Sequence, residues 1–456
     1  MNTLIRLTGL GGAFAVICVV GFMGVAHGAD TVTLERIEKI IKQQQAQIEQ
    51  QAETIERLRI QVEALSGQAP KTESRSLAMA EKKAPEDTTR DKIVDEATAT
   101  TTAEVKPLNQ ATGVMSGNDK INVQLYGHLN KALLYANDGN EDNLYVVDNS
   151  NSSTRVGING VARTSDDLEA GTRIEVQFQT NPSSSVSQIA KNNVGTNSFT
   201  KRWFDVYLRS KRFGEVRLGH GSTASDGTSE ADLSGTAVIG YSSVQEMAGG
   251  QFFYDNASAA LSSTQVKGVF NNMDGLGRDD RILYQSPNIQ GFKVKTSWIS
   301  GGASDLVLGY AAKLGPVAVA AAGAYASLGS ISQTVDTQIN GSASAFHESG
   351  LNLTVAAGSQ DLKNTTRNDA TFWYGKIGYR QNFFDIGETG IAVDWGRNNN
   401  VAANDDQADS YGLSGVQDFK KWGSEYYLGF RNYKLDRPGT DFNDIQSVMS
   451  GVRVKF

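Results

Sequence analysis

SVMSGVRVKF stands at residues 447–456. Val448, Ser450, Val452, Val454 and Phe456 take every second place, with Met449, Gly451, Arg453 and Lys455 between them. A period of two puts the first set on one face of an extended strand and the second on the other. Terminal residues fray unless a sheet ties them down. The alternation therefore predicts a last strand that is paired, with an aromatic anchor at its end.

The same period recurs from Ile121 onward. GTRIEVQFQT sets Ile174, Val176 and Phe178 against Arg173, Glu175, Gln177 and Gln179. RWFDVYLRS sets Phe204, Val206 and Leu208 against Trp203, Asp205, Tyr207 and Arg209. GEVRLGH, GFKVKTSW and SEYYLGFR repeat the pattern. A soluble sandwich also alternates. Here, however, the polar face stays rich in Arg and Lys over many successive strands, and aromatics recur near strand ends, as in the interfacial girdles of transmembrane barrels.

Candidate strands begin near residues 121, 153, 169, 199, 213, 280, 290, 303, 315, 340, 350, 369, 388, 408, 422 and 445. Connections after the odd strands are mostly long: 137–152, 181–198, 222–279, 327–339, 359–368, 398–407 and 435–444. Those after the even strands are short, as in KR, SPN, LGP and ESG. SGGA near 300 breaks the rule by being short. Long loops at one end and tight turns at the other describe an antiparallel transmembrane β-barrel of about 16 strands. The fold class predicted is all-β, preceded by an α-helical coiled coil.

Composition agrees. The chain has 456 residues, 47 of them Gly and only 7 Pro, with 39% hydrophobic residues. Beyond the N-terminus no run of about 18 apolar residues offers a membrane helix. A formal charge of -7 argues against nucleic acid as a partner. Residues 1–28 read as a secretory signal peptide, with Arg6 in the positive region and an apolar stretch from Leu10 to Met23. Cys18 lies inside that stretch, and Ile17 before it is too bulky for a lipoprotein signal. Residues 30–66 carry a 3-4 rhythm. Leu34, Ile41, Ile48, Ile55 and Val62 hold one seam register, and Ile37, Gln44, Gln51, Leu58 and Leu65 the other. This predicts a self-associating coiled coil. Residues 67–120 are polar and aperiodic, a disordered linker whose ends would lie roughly 40 Å apart.

INVQLYGHLNKALLY, with Tyr126-Gly127 in mid-strand, resembles the first strand of the Gram-negative general porins. RILYQSPNIQGFKVKTSW is similar to that family's Tyr-x-Ser-Pro-x-x-x-Gly-Phe element, through Tyr284, Ser286, Pro287, Gly291 and Phe292. FGEVRLGHGST resembles the strand that leads into a pore-constricting third loop. The resemblance covers about 121–456. It implies an outer-membrane homotrimer of channels, embedded in lipid. It also implies that Val448, Val452, Val454 and Phe456 form the signal read by the outer-membrane assembly machinery.

On that reading the loop at 222–279 narrows the barrel and offers Asp226, Glu230, Asp232, Glu246, Asp255 and Asp274. The facing wall offers Arg155, Arg173, Arg209, Arg217, Arg281, Lys293 and Lys295. Opposed rows of charge would sort solutes by charge and dipole. The bland alternative is that wall charges pair among themselves, Arg173 with Glu175 for example. Catalysis has little support: the mature chain holds only His128, His220 and His347, and Ser222 near His220 lacks a surrounding motif. No cofactor or dedicated metal is implied. The loops DDQAD (405–409) and NDGNED (137–142) resemble weak Ca²⁺ sites less than ordinary solvated loops. The expected function is passive diffusion of small hydrophilic solutes and ions, with a periplasmic coiled coil for trimerisation or cell-wall contact. The alternatives are a substrate-specific channel plugged by the long third loop, and a mainly structural tether.

Overall fold

The computed structural model describes residues 114–118, 120–195, 199–364 and 366–456, together with the single helical positions Lys42 and Arg57. The signal peptide, the coiled coil apart from those two positions, and most of the linker lie outside the described residues.

The strands are β1 (Val114–Gly117), β2 (Ile121–Asn137), β3 (Asp142–Asp148), β4 (Arg155–Arg163), β5 (Leu168–Gln177), β6 (Thr200–Ser210) and β7 (Gly214–Ser222). Then come β8 (Phe252–Asp255), β9 (Ala260–Gln265), β10 (Arg278–Gln285), β11 (Phe292–Ile299), β12 (Ala303–Leu314), β13 (Val317–Ser327) and β14 (Val335–His347). The last six are β15 (Leu351–Leu362), β16 (Ala370–Phe384), β17 (Gly387–Asn399), β18 (Gln407–Phe419), β19 (Ser424–Asp436) and β20 (Ile445–Lys455).

Each barrel strand pairs antiparallel with its neighbour, and β20 returns to β2, Lys455 opposite His128 and Gln446 opposite Asn137. β3 and β4 share one position beside β2, the first along its upper half and the second along its lower half. Counted so, the wall is a closed sheet of sixteen strands, the number read from the alternation. Closure leaves no sheet edge to satisfy. The seam is finished at Phe456, whose N–H donates to Gly127 O at 3.0 Å and whose carbonyl accepts from Gly127 N at 2.9 Å. Below that point β1 takes over as the neighbour of β2, with Gly117 opposite Asn122.

Two expected loops are shorter than the sequence suggested. Residues 142–148 are strand, not loop, because Tyr145 and Val147 turn inward to a packed interior while Leu144 and Val146 face out. β14 begins at Val335 rather than near 340, its inward Gln338 and Asn340 being held by polar partners.

The outer surface is apolar. Val206, Leu208, Leu218, Ile282, Val294, Trp298, Leu306, Leu353, Ile377 and Leu428 are all exposed there. The inner face carries the buried polar residues, among them Asp205, Arg217, Arg281, Asp305, Ser342 and Arg431. This inversion is what strands demand when one face meets lipid and the other a lumen.

Candidate functional site

Residues 223–277 join β7 to β10 and fold back against the inner wall. Their path follows small and polar side chains that the wall provides. The Ser225 hydroxyl donates to Asp305 at 2.6 Å. Backbone N–H groups of Ala231 and Leu233 donate to the hydroxyls of Ser342 and Ser344 at 2.9 and 3.0 Å. Ala231 and Leu233 pack on Ala311, Ala318, Ala320 and Phe346. The alanine-rich inner face of β13 is therefore a bed for the loop. Farther on, Lys376 of β16 is fully buried and donates to Asp232 Oδ2 and Gly240 O, each at 2.6 Å. Val238, Ile239, Val244, Met247, Phe253, Phe270 and Met273 then pack with Leu134, Tyr145, Val147, Tyr427, Tyr433 and Met449 of the wall. The connection after β5 lies on top: Ser183 donates to Glu246 O at 2.6 Å, and Gln251 donates to Val186 O at 2.8 Å.

The other side of the interior, β4 to β7 and β10, is lined by arginines. Arg155, Arg173 and Arg202 converge on the single carboxylate of Glu175, at 3.9, 2.7 and 2.7 Å. The Tyr126 hydroxyl also donates to Glu175, at 2.8 Å. Arg209 pairs with Glu215 at 2.6 Å and Glu169 at 3.2 Å. Arg217 pairs with Glu215, and with Asp205 at 3.4 Å. Arg281 reaches Asp205 at 2.8 Å and donates to the carbonyls of Ser222 and Gly219. Aromatic rings hold the guanidiniums in place: Arg173 lies 4.2 Å from the Trp203 ring centre and Arg217 4.6 Å from that of Tyr207. Four carboxylates thus meet six guanidiniums, and the excess of positive charge gathers around Glu175.

Arg202 belongs to this cluster although strict alternation would point it outward with Phe204. A bulge between β5 and β6 explains it. Glu175 faces Trp203 and Val176 faces Lys201, so Arg202 is the extra residue and turns inward. Nothing in the sequence marks the bulge. Arg278 was also missed. It opens β10, 3.1 Å from Asp226, and its field neighbours are Glu175 on the wall and Asp226, Glu230 and Asp274 on the loop.

The expected loop acids separate into two groups. Asp226, Glu230 and Asp274 stand together beside the basic wall. Asp274 accepts from Gly227 N at 2.7 Å and Ser229 N at 2.9 Å, and Glu230 accepts from Asn272 at 3.0 Å. Burial, then their mutual repulsion, raises the pKa of both Glu230 and Asp274. Asp232, Glu246 and Asp255 lie elsewhere. Asp232 is buried with Lys376. Glu246 sits under the preceding loop, where burial raises its pKa to about 7. Asp255 caps a surface turn, accepting from Ala257 N and the Ser258 hydroxyl. Lys293 and Lys295 are both buried, and Lys295 has Asp305, then Asp226 and Asp274, as its acidic neighbours. Of the outer-loop carboxylates, Asp406 is clasped by Arg437 and Asp409 by Arg397. Asp138 caps its own turn and accepts from Gln188.

Solved structures share the architecture. OmpT, an outer membrane protein of Vibrio cholerae, is similar at a TM-score of 0.51 and 13% identity, over 75% of this chain and 99% of that one. Salmonella typhi OmpF, in complex with daunomycin, gives 0.50 and 12%, over 75% and 100%. The anion-selective porin from Comamonas acidovorans gives 0.48 and 17%, over 74% and 100%. At these identities the likeness to OmpT and OmpF concerns the fold alone. No curated protein sequence matches the chain. The model of one family, described as Gram-negative porin, matches residues 97–437. That match spans most of the chain and ends just after β19. The closed sixteen-stranded sheet and this match lead to one identity: the chain belongs to the Gram-negative porins, channel proteins of the outer membrane.

Proposed function

We propose that the protein carries small hydrophilic solutes and ions across the outer membrane by passive diffusion. The path runs between the arginine wall and the acids Asp226, Glu230 and Asp274. The observation that carries this is the imbalance at Glu175, where three guanidiniums share one carboxylate and face a loop with acids of its own. The guanidiniums facing Asp226 across a narrow passage give a transverse field, and the two uncompensated guanidiniums at Glu175 give it a net positive sign. Glu230 and Asp274, whose burial favours their neutral forms, add polar groups more than charge. Most other wall charges are mutually neutralised, so the field is local. On this reading Val448, Val452, Val454 and Phe456 serve as the assembly signal, and the chain works as a homotrimer in lipid.

A second reading has its own support. The packed interior formed by residues 223–277 and the connection above it favours a restricted, substrate-specific passage. The periplasmic coiled coil at residues 30–66, as trimer lock or cell-wall contact, belongs to the same proposal and rests on its heptads alone.

Single-channel conductance in a planar bilayer, with the reversal potential under a salt gradient, tests both. Large steps in groups of three with an anion-favouring potential support open diffusion governed by the Glu175 cluster. Silent or very small channels overturn open diffusion in favour of the restricted passage.

A further inference from the structure

β7 and β10 flank the long loop, and at their loop ends they hold a group that the channel does not use. His220 and Asp280 are directly opposite in the pairing, and Asp279 is opposite Gly221. His220 continues the outward series of Val216 and Leu218, and Asp280 that of Ile282 and Tyr284, so these two side chains lie outside the lumen, near the end of the barrel that carries the long loops. Asp279 stands on the alternate position at the start of β10, and its carboxylate bends back toward Asp280 N. One ligand atom from each of His220, Asp279 and Asp280 lies within 4.8 Å of the others. Among the described residues no other such group occurs.

The histidine supplies the independent observation. It is 9% exposed. Its Nδ1 is buried without a hydrogen-bond partner and stands 3.7 Å from Asp280 Oδ1. That separation is too long for a hydrogen bond, and an orphaned buried ring nitrogen calls for an explanation. Lys201 Nζ occupies the far oxygen, Asp280 Oδ2, at 3.2 Å, and Asp279 Oδ1 accepts from Asp280 N at 2.6 Å. Each carboxylate therefore keeps one oxygen free of these contacts.

We propose that His220, Asp279 and Asp280 bind a divalent first-row transition-metal ion, with water completing the shell on the open side. Imidazole beside carboxylates suits Zn²⁺, Ni²⁺ or Cu²⁺, whereas all-oxygen sets suit Ca²⁺ and Mg²⁺. Ligand atoms about 2.0–2.1 Å from a tetrahedral ion lie about 3.4 Å apart. The three atoms must therefore draw inward, and Asp280, with its side chain 62% exposed, is free to swing. The bound ion would clip β7 to β10 at the two roots of residues 223–277. Neither its position nor its ligands depend on what the channel transports.

The test is calorimetric titration with Zn²⁺ of the folded protein, purified from membranes without a histidine tag and stripped with chelator. One equivalent is expected to bind. His220→Ala and, separately, Asp280→Asn are each expected to weaken it by more than about tenfold, with folding of each variant checked by gel migration before and after heating. Lys201→Met is expected to tighten binding several-fold, since a competing cation is removed; a purely structural cluster would not respond in that direction. No Zn²⁺ binding, binding unchanged in both His220→Ala and Asp280→Asn, or tighter binding of Ca²⁺ than of Zn²⁺ would overturn the assignment.

Discussion

Replacing Lys376 by methionine isolates the strongest single tie between the inner loop and the wall. The ammonium is fully buried and donates to Asp232 Oδ2 at 2.6 Å, Ser234 Oγ at 3.0 Å and Gly240 O at 2.6 Å. Methionine fills the volume of the lysine stem but leaves Asp232, itself only 7% exposed, without a counter-ion. Breaking a buried pair from one side costs about 3–5 kcal/mol. At about 1.4 kcal/mol per factor of ten, the ratio of docked to undocked loop falls by two to more than three powers of ten. The nearby bonds from Ala231 N and Leu233 N contribute only about 1 kcal/mol each and do not offset that. Lys376→Met should raise open-channel current noise and expose the 231–240 segment to limited proteolysis. The double variant Asp232→Asn with Lys376→Met removes both charges and should return most of the quiet behaviour, since a neutral replacement of a buried pair is often tolerated. A single variant with wild-type noise and wild-type cleavage would refute the view that this pair anchors the loop.

Arg202→Gln reduces the guanidiniums around Glu175 from three to two and should move the reversal potential toward cations; an unchanged potential would mean that Arg202 does not face the permeating ions. The raised pKa of Glu246, about 7 against an ordinary 4.5, makes docking most favourable below the unfolded value. That stabilisation is lost as pH rises through about 7, because the exposed carboxylate ionises freely while the buried one resists. Channel noise should therefore rise from pH 5 to pH 8, and Glu246→Gln should flatten the rise. Gly127→Val should lower the yield of folded barrel, measured by heat-modifiable gel migration. A Cβ there would stand 2.7 Å from Arg155 O and 2.8 Å from the Phe456 ring. Deleting residues 30–66 should leave single-channel conductance intact, and loss of the pore itself would contradict a modular coiled coil.

The barrel was legible because its code is repetitive. Lipid on one side and polar packing on the other impose the same period on every strand, and sixteen strand starts follow from it. β3 escaped notice because Asp142, Asn143 and Asp148 frame it like a turn, and its inward Tyr145 matters only once a loop arrives to cover it. Arg202 escaped because a bulge breaks the very alternation used to read the wall. The loop acids could be named but not sorted. Whether Asp232 meets a lysine from a strand 144 residues away or faces the passage depends on tertiary pairing, and residues 223–277 carry no period that would predict it. Conversely, the pairing of Arg173 with Glu175 was readable, since residues two apart on a strand share a face.

The apolar packing between residues 223–277 and the wall has a consequence for anyone wishing to widen this passage. Leu134, Tyr145, Val147, Tyr433, Leu435, Ile445 and Met449 point inward and are kept dry by that segment. Excising it would not leave a clean aqueous tube. It would leave a greasy half-cylinder in contact with water, prone to collapse on its own side chains or to trap detergent and amphiphiles. The segment is thus ballast as much as gate, and the wall behind it has the composition of a soluble protein's interior. A roomier channel would have to be repainted before it was emptied, with hydrophilic residues set at Leu134, Tyr145 and Tyr433 first.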